Sequence, residues 1–259
     1  MNKEQPWWVN VVCAVAVLGF VGVVWQGVIW AQDIPAYSVP TPAMTMQALI
    51  DDFPIIAGRC ALTLRDAAAG LVVSTVLAMV LAVLVSRWTV LTRPITGYAL
   101  IIRTLPIVGV APLVTLVAGR GVMATVICVV IVTVFTLFVA ILESMRALPP
   151  AVTDLSVLYD TGFVRKTAYA WVPAAVGGIV MGLRISGPMA IVAAILAEWL
   201  SGHDGIGSLM TTAQANREVT MLWAATVAAA VVGLIAYMMP GALVGLARRF
   251  GFVMEVSAG

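Results

Sequence analysis

Charge is what this chain has least of. Only 10% of its 259 residues are charged, while 62% are hydrophobic, and its mean hydropathy is +1.08. A soluble domain carries about 25% charged residues, so a water-soluble fold is excluded and the chain reads as an integral membrane protein. Lysine occurs only at Lys3 and Lys166, and His203 is the single histidine. Such scarcity argues against an enzyme. There is no H-E-x-x-H, no G-x-S-x-G and no Cys/His cluster, and "GFVRKT" lacks the glycine spacing of a phosphate-binding loop. No cofactor or metal is therefore expected in this chain. Cys13, Cys60 and Cys128 have no metal-ligand spacing and read as small apolar packers. A net charge of +2 without a basic run gives no footprint for nucleic acid. His203 reads as an exposed loop residue rather than a catalyst.

What is present is a series of apolar runs. Six of them approach the roughly twenty residues needed to cross a bilayer: Trp8–Trp30, Ala67–Val85, Gly97–Val117, Val122–Leu142, Val176–Ala197 and Met221–Ala242. The first exceeds a signal-peptide core and ends without an A-x-A site, so it is expected to be a retained transmembrane helix. Basic residues set the orientation. Lys3, Arg87, Arg93, Arg146, Arg165, Lys166, Arg248 and Arg249 collect on one side, which is then cytoplasmic together with both termini. The segment from Ala31 to Asp66 opens with three prolines, and its amphipathic second half is expected to lie in the membrane interface before turning into the second span.

The membrane pattern breaks in two ways. In "IIRTLPIVGVAPLVTLVAGRG", Pro106 and Pro112 each remove a helical hydrogen bond, which makes the segment either a wall of a translocation path or an ordinary proline kink. Arg103, Arg184 and Glu198 are charges in or near spans, and such residues face a bundle interior, a cavity or a partner unless they snorkel. Arg184 and Glu198 are too far apart to pair, at roughly 21 Å along one helix. Gly177, Gly178, Gly182, Ser186, Gly187 and Ala190 place the fifth span at a close helix crossing.

The second break is the polar insert "DLSVLYDTGFVRKTAYAWVP". A helix is expected to open near Pro149, with Val152, Leu155, Leu158 and Tyr159 on one face, and to end at Gly162. A second short helix is expected before Pro173. Tyr159, Phe163, Tyr169 and Trp171 suit a docking element better than a solvated connector.

This arrangement resembles the cytoplasmic coupling loop of binding-protein-dependent ABC importer permeases. Their pattern runs Glu-Ala-Ala, three residues, Gly, nine residues, Ile-x-Leu-Pro. Anchored on Pro173, the Glu position falls on Asp154, the alanines on Leu155 and Ser156, the Gly on Asp160, and the Ile and Leu positions on Ala170 and Val172; only the proline is identical. Other segments resemble the branch that handles nitrate, sulfonates, taurine and thiamine-pyrimidine precursors. These are the Arg-x-x-Pro to Gly-x-Gly stretch from Arg103, "VPAAVGGIVMGLRIS" and "AEWLSGHDGIGSLM". The resemblance runs from about Val39 to Phe250.

It implies an all-α fold of six transmembrane helices, a five-helix importer core plus an N-terminal helix, with short cytoplasmic coupling helices. It divides the chain into an N-terminal helix and outer linker (1–38), a permease domain (39–250, coupling loop about 149–172) and a cytoplasmic tail (251–259). Localisation would be the bacterial inner membrane. Expected partners are two ATPase subunits carrying ATP and Mg, an extracytoplasmic solute-binding protein or lipoprotein, a second permease copy or a paralogous permease, and membrane lipid. The ATPase would be contacted by Asp154, Leu155, Ser156, Leu158, Tyr159, Asp160, Gly162, Phe163, Arg165 and Lys166. Candidates for the translocation path are Arg103, Pro106, Pro112, Arg184 and Glu198. Asp160 replaces the turn glycine, a role that Gly162 is placed to take over. The contrasting reading is an ATP-independent secondary transporter or channel, which would need no such insert and would carry an intramembrane carboxylate.

Overall fold

The computed structural model describes residues 7–152, 158–159 and 161–249. Among them every regular element is a helix. Four are long and apolar enough to cross a membrane, over Phe53–Arg87, Val122–Arg146, Phe163–Ser201 and Val219–Ala242.

Helix α1 (Trp7–Ala31) has no acid in its first turn and no base in its last. It is a peripheral helix, with Phe20 and Val23 strongly exposed, and an indole pair, Trp25 on Trp223 at 4.9 Å, ties it to the bundle. After Pro35 and Pro40, Thr41 caps α2 (Pro42–Asp51) by accepting the Met44 N–H, with Pro42 pre-set for the first turn. Only this short helix is separate. From Phe53 the chain runs unbroken through α3 (Phe53–Arg87), so the expected turn into the second span lies at Asp52 instead.

The buried face of α3 recurs at helical spacing with small residues: Ala67, Gly70, Ser74, Ala78 and Ala82. These let α6 (Val122–Arg146) and the later helices approach closely. A Cβ on Gly70 would stand 2.5 Å from Val129. Ser74 and Thr133 share a hydrogen bond at 2.7 Å across this contact.

The third span is not one helix. The chain forms α4 (Thr92–Thr104), breaks at Leu105–Pro106, and resumes as α5 (Ile107–Ala118). Pro106 lacks the N–H needed to continue α4 and pushes Leu105 out of helical geometry. At 1.5 Å per residue neither piece spans a 30 Å core alone. Pro112 is accommodated inside α5. The turn into α6 uses left-handed backbone at Gly119 (φ 79°) and Gly121 (φ 146°), which only glycine adopts readily.

The second coupling helix also differs from expectation. It begins as α7 (Phe163–Lys166), widens into a π-helical stretch over Thr167–Trp171, and continues into α8 (Val172–Ser201) without a break. A proline ring clashes with the carbonyl four residues back, here Tyr169. The wider turn, in which the Val172 N–H bonds the Thr167 carbonyl, relieves that clash. Gly162 does not act as a left-handed turn; its φ of −58° is open to any residue.

Two further helices follow, α9 (Ile206–Ala215) and α10 (Val219–Arg249). Helix α8 is the centre of the bundle, lying against α3, α6 and α10. At Gly178 a Cβ would meet the Ala140 carbonyl oxygen at 2.3 Å, so the α6–α8 crossing is backbone against backbone. The Ser144 hydroxyl donates to the Ala174 carbonyl (2.6 Å) and accepts from the Gly178 N–H (3.1 Å), stitching the two helices together.

Candidate functional site

Two polar sites occupy opposite ends of the bundle, and Arg184 lies on α8 between them. At the Arg87 end, the expected docking segment carries its aromatics in two ways. Leu158, Tyr159, Val164 and Tyr169 are exposed, whereas Trp171 packs into the core with Val85, Met145 and Ala175. Phe163 meets Trp171 edge-on at 6.0 Å. Arg87 lies 5.4 Å from the Phe163 ring centre, and Lys166 5.5 Å from that of Trp171. These contacts fix α7 to the inner bundle. They leave hollows of about 270 Å³, beside Ser86, Leu148 and Trp171, and about 340 Å³, beside Val152, Tyr159 and Tyr169. Arg165 is exposed and Lys166 half-buried. Asp154, Leu155, Ser156 and Asp160 lie outside the described residues.

The Glu198 end is built differently. Glu198 has no exposed surface, and its Oε2 accepts from Thr63 Oγ1 and from the Gly207 N–H, both at 2.9 Å. Thr63 Oγ1 in turn accepts the Ile206 N–H at 2.9 Å. One carboxylate thus binds the N-terminus of α9, where unpaired N–H groups and the helix dipole favour negative charge, and joins it to α3 and α8. The sequence permits this through two glycines. A Cβ on Gly205 would stand 2.2 Å from the Glu198 carboxyl carbon, and one on Gly207 2.2 Å from the Ile195 carbonyl oxygen.

Beside this latch, the fully buried Asp66 pairs with Arg65 at 2.8 Å and lies 3.3 Å from His203 Nε2. His203 is therefore tucked against α3 rather than exposed as expected; its side chain is only 22% accessible. Arg59 pairs with the exposed Asp204, and this guanidinium holds the Asp204 carboxyl below its ordinary range. Among the described residues no three His, Cys, Asp or Glu side chains converge as metal ligands.

The remaining path candidates scatter. Pro106 and Pro112 lie on the exposed side of the α4–α5 segment. Arg103 belongs to α4, but its side chain is outside those described. Arg184, half-buried, lies near the middle of α8 with its guanidinium against Gly241 of α10. Sequence reasoning missed Thr63 and Ser144 altogether. A hydroxyl at helical spacing from Asp66 on an apolar helix was the available signal for Thr63. Ser144 had none, since its partners are backbone groups of another helix.

Residues 70–249 match the family described as "Binding-protein-dependent transport system inner membrane component". The chain is 25% identical over 221 residues to a probable ABC transporter permease protein of Haemophilus influenzae, covering 85% of this chain and 90% of the relative. It is 25% identical over 174 residues to the formylaminopyrimidine transport permease protein of Halalkalibacterium halodurans, covering 66% and 69%. It is 23% identical over 148 residues to the riboflavin transport system permease protein of Chloroflexus aurantiacus, covering 57% and 55%. The family match takes in the C-terminal half of α3 and every later helix, including the unbroken α7–α8 helix and Glu198 with the N-terminus of α9 but not Thr63, and the chain belongs to the binding-protein-dependent ABC importer permeases.

Proposed function

We propose that this chain is the membrane-spanning subunit of an ATP-driven importer, passing a small solute from an extracytoplasmic binding protein or lipoprotein into the cytoplasm by alternating access. The Arg87 end and both termini face the cytoplasm, an orientation that the distribution of basic residues supports. Two ATPase subunits, carrying ATP and Mg, dock on the segment from Asp154 to Lys166. A second copy of this chain, or a paralogous permease, completes the path. The solute is an anion of the sulfonate, nitrate or taurine kind, or a pyrimidine-type precursor; the names of two relatives support a heterocycle, while Arg103 and Arg184 support an anion.

One observation carries the reading. Exposed Val164 and Tyr169 sit on the same unbroken helix whose later turns cross the core at Gly178, Gly182 and Gly187. A push on the docking surface is thereby delivered to the centre of the bundle. A solvated connector would have no need of that rigidity.

Affinity purification of the tagged chain in mild detergent from its native membrane tests the proposal. Stoichiometric recovery of an ATPase is expected, and a second permease or binding protein recovered with it would identify the dimer and the solute. A preparation of this chain alone that still transports solute into ATP-free vesicles would overturn the reading in favour of a secondary transporter.

A further inference from the structure

We infer that α8 and α10 form a solute site in which Arg184 binds the anionic group and an adjoining groove holds an apolar body. The inference rests on the importer reading and narrows its solute to an organic anion.

Arg184 is the starting point. It stands twelve residues after Val172 and seventeen before Ser201, roughly 18 and 26 Å along α8. The sequence places no other charge on α8 between Val172 and Glu198, and none on α10 from Val219 to Ala247. Among the described residues Arg184 forms no hydrogen bond or ion pair; Arg59, Arg65 and Arg146 all have carboxylate partners. A guanidinium at this depth is costly without a counter-charge. The fold nevertheless makes room for it. A Cβ on Gly241 would stand 2.0 Å from Arg184 Nη2, so glycine is the residue that leaves the guanidinium its place. Pro240 precedes it and deprives the Ala236 carbonyl of its helical donor. Gly187 brings α8 against that same carbonyl, where a Cβ would lie at 2.7 Å.

A groove of about 480 Å³ runs between the same two helices toward the Glu198 end. Pro188, Val192 and Ile195 line one side, and Gly233, Leu234 and Tyr237 the other. Pro188 is one turn outward of Arg184, and Tyr237 one turn outward of Gly241, so groove and cation share a face of each helix. The lining is apolar apart from the Tyr237 hydroxyl. A cation under an apolar slot complements a carboxylate or sulfonate attached to a small ring or chain. A fully hydrated inorganic anion would leave the slot unfilled, and a neutral heterocycle would leave Arg184 unpaired.

The probes are 4-fluorobenzenesulfonate, inorganic sulfate and neutral 4-fluorobenzamide, presented to the full assembly in nanodiscs of zwitterionic lipid. Binding of the fluorinated probes is read by fluorine NMR, with sulfate as competitor. Saturable binding of the sulfonate is expected, with the amide and sulfate at least about tenfold weaker. Arg184→Gln should weaken sulfonate binding about tenfold or more, and Arg184→Lys by a smaller factor. Gly241→Ala, which displaces the guanidinium without removing its charge, should also weaken it. Gly233→Leu has open space around its Cβ and keeps the charge, so it guards against misfolding of the arginine variants. It should fill the slot and weaken the sulfonate while leaving sulfate competition unchanged. Equal binding of amide and sulfonate, insensitivity to Arg184→Gln, or displacement by added phosphatidylglycerol would overturn the inference; the last would assign the groove to lipid. Recovery of the ATPase is scored separately. ATPase present without arginine-dependent binding defeats this site and leaves the importer reading standing, and the converse result does the reverse.

Discussion

Glu198 shows how one buried carboxylate is held by hydrogen bonds, with no ion pair to it among the described residues. Its Oε2 takes two donors, one a backbone N–H at a helix N-terminus and the other a threonine that also accepts from Ile206. What matters is the acceptor position. Glu198→Gln, with its carbonyl in that position, should therefore lower thermal stability less than Glu198→Ala. The alanine variant leaves the Gly207 N–H buried and unpaired, a loss of about 1–3 kcal/mol. Thermal unfolding of the full chain in detergent would read the order, and its reversal would assign the role to charge. Gly207→Ala should cost about 1–3 kcal/mol as well, because its Cβ meets a backbone carbonyl that cannot move aside. Asp204, by contrast, is exposed. Its carboxyl is held low by Arg59, so any contribution is present above the ordinary carboxylate range and fades as pH falls through the depressed value. Asp204→Asn should leave the unfolding temperature at neutral pH unchanged within error, since solvent screens an exposed pair.

Among elements, the α6–α8 crossing depends most on residue size. Gly178→Ala would drive a methyl to within 2.3 Å of the Ala140 oxygen, and unfolding should come earlier by about 1–3 kcal/mol. Gly162→Ala, with no atom within 4 Å of the new Cβ and an ordinary φ, should be silent in the same assay. The small residues of the fifth span announced this crossing in the sequence, because spacing on an apolar helix is read directly as a face. The apolar runs likewise located the long spans. Two features were not legible that way. Pro106 marked a weak point in the third span, but the complete end of the helix at Leu105–Pro106 was not readable, because whether a proline kinks or ends a helix depends on what packs around it. The uninterrupted α7–α8 helix was hidden for the opposite reason. Pro173 resembles a boundary, but a π turn absorbs its ring, and that turn is supported by Trp171 in the core. The Glu198 latch joins residues 135 positions apart on different helices, a pairing no local pattern encodes.

At the scale of the whole molecule, the two ends are connected by one helix, and the order of its contacts determines what each change should do. Exposed Tyr169 and buried Trp171 are two residues apart on the π turn. Trp171→Ala should remove about 3–5 kcal/mol of packing and shift unfolding. Tyr169→Ala should leave the unfolding temperature alone and weaken ATPase recovery, by about tenfold if the ring is an interface anchor. The decisive change touches neither surface. Two glycines inserted between Tyr169 and Ala170 would leave the docking residues, Tyr169 included, on one side and the membrane core on the other, but interrupt the helix between them. If the helix transmits force, the ATPase should still co-purify and hydrolyse ATP, while uptake into vesicles supplied with the binding protein falls to background. Uptake that survives the insertion would mean that the ATPase moves the bundle through some other contact, and that the continuity of α7 with α8 is a feature of folding alone.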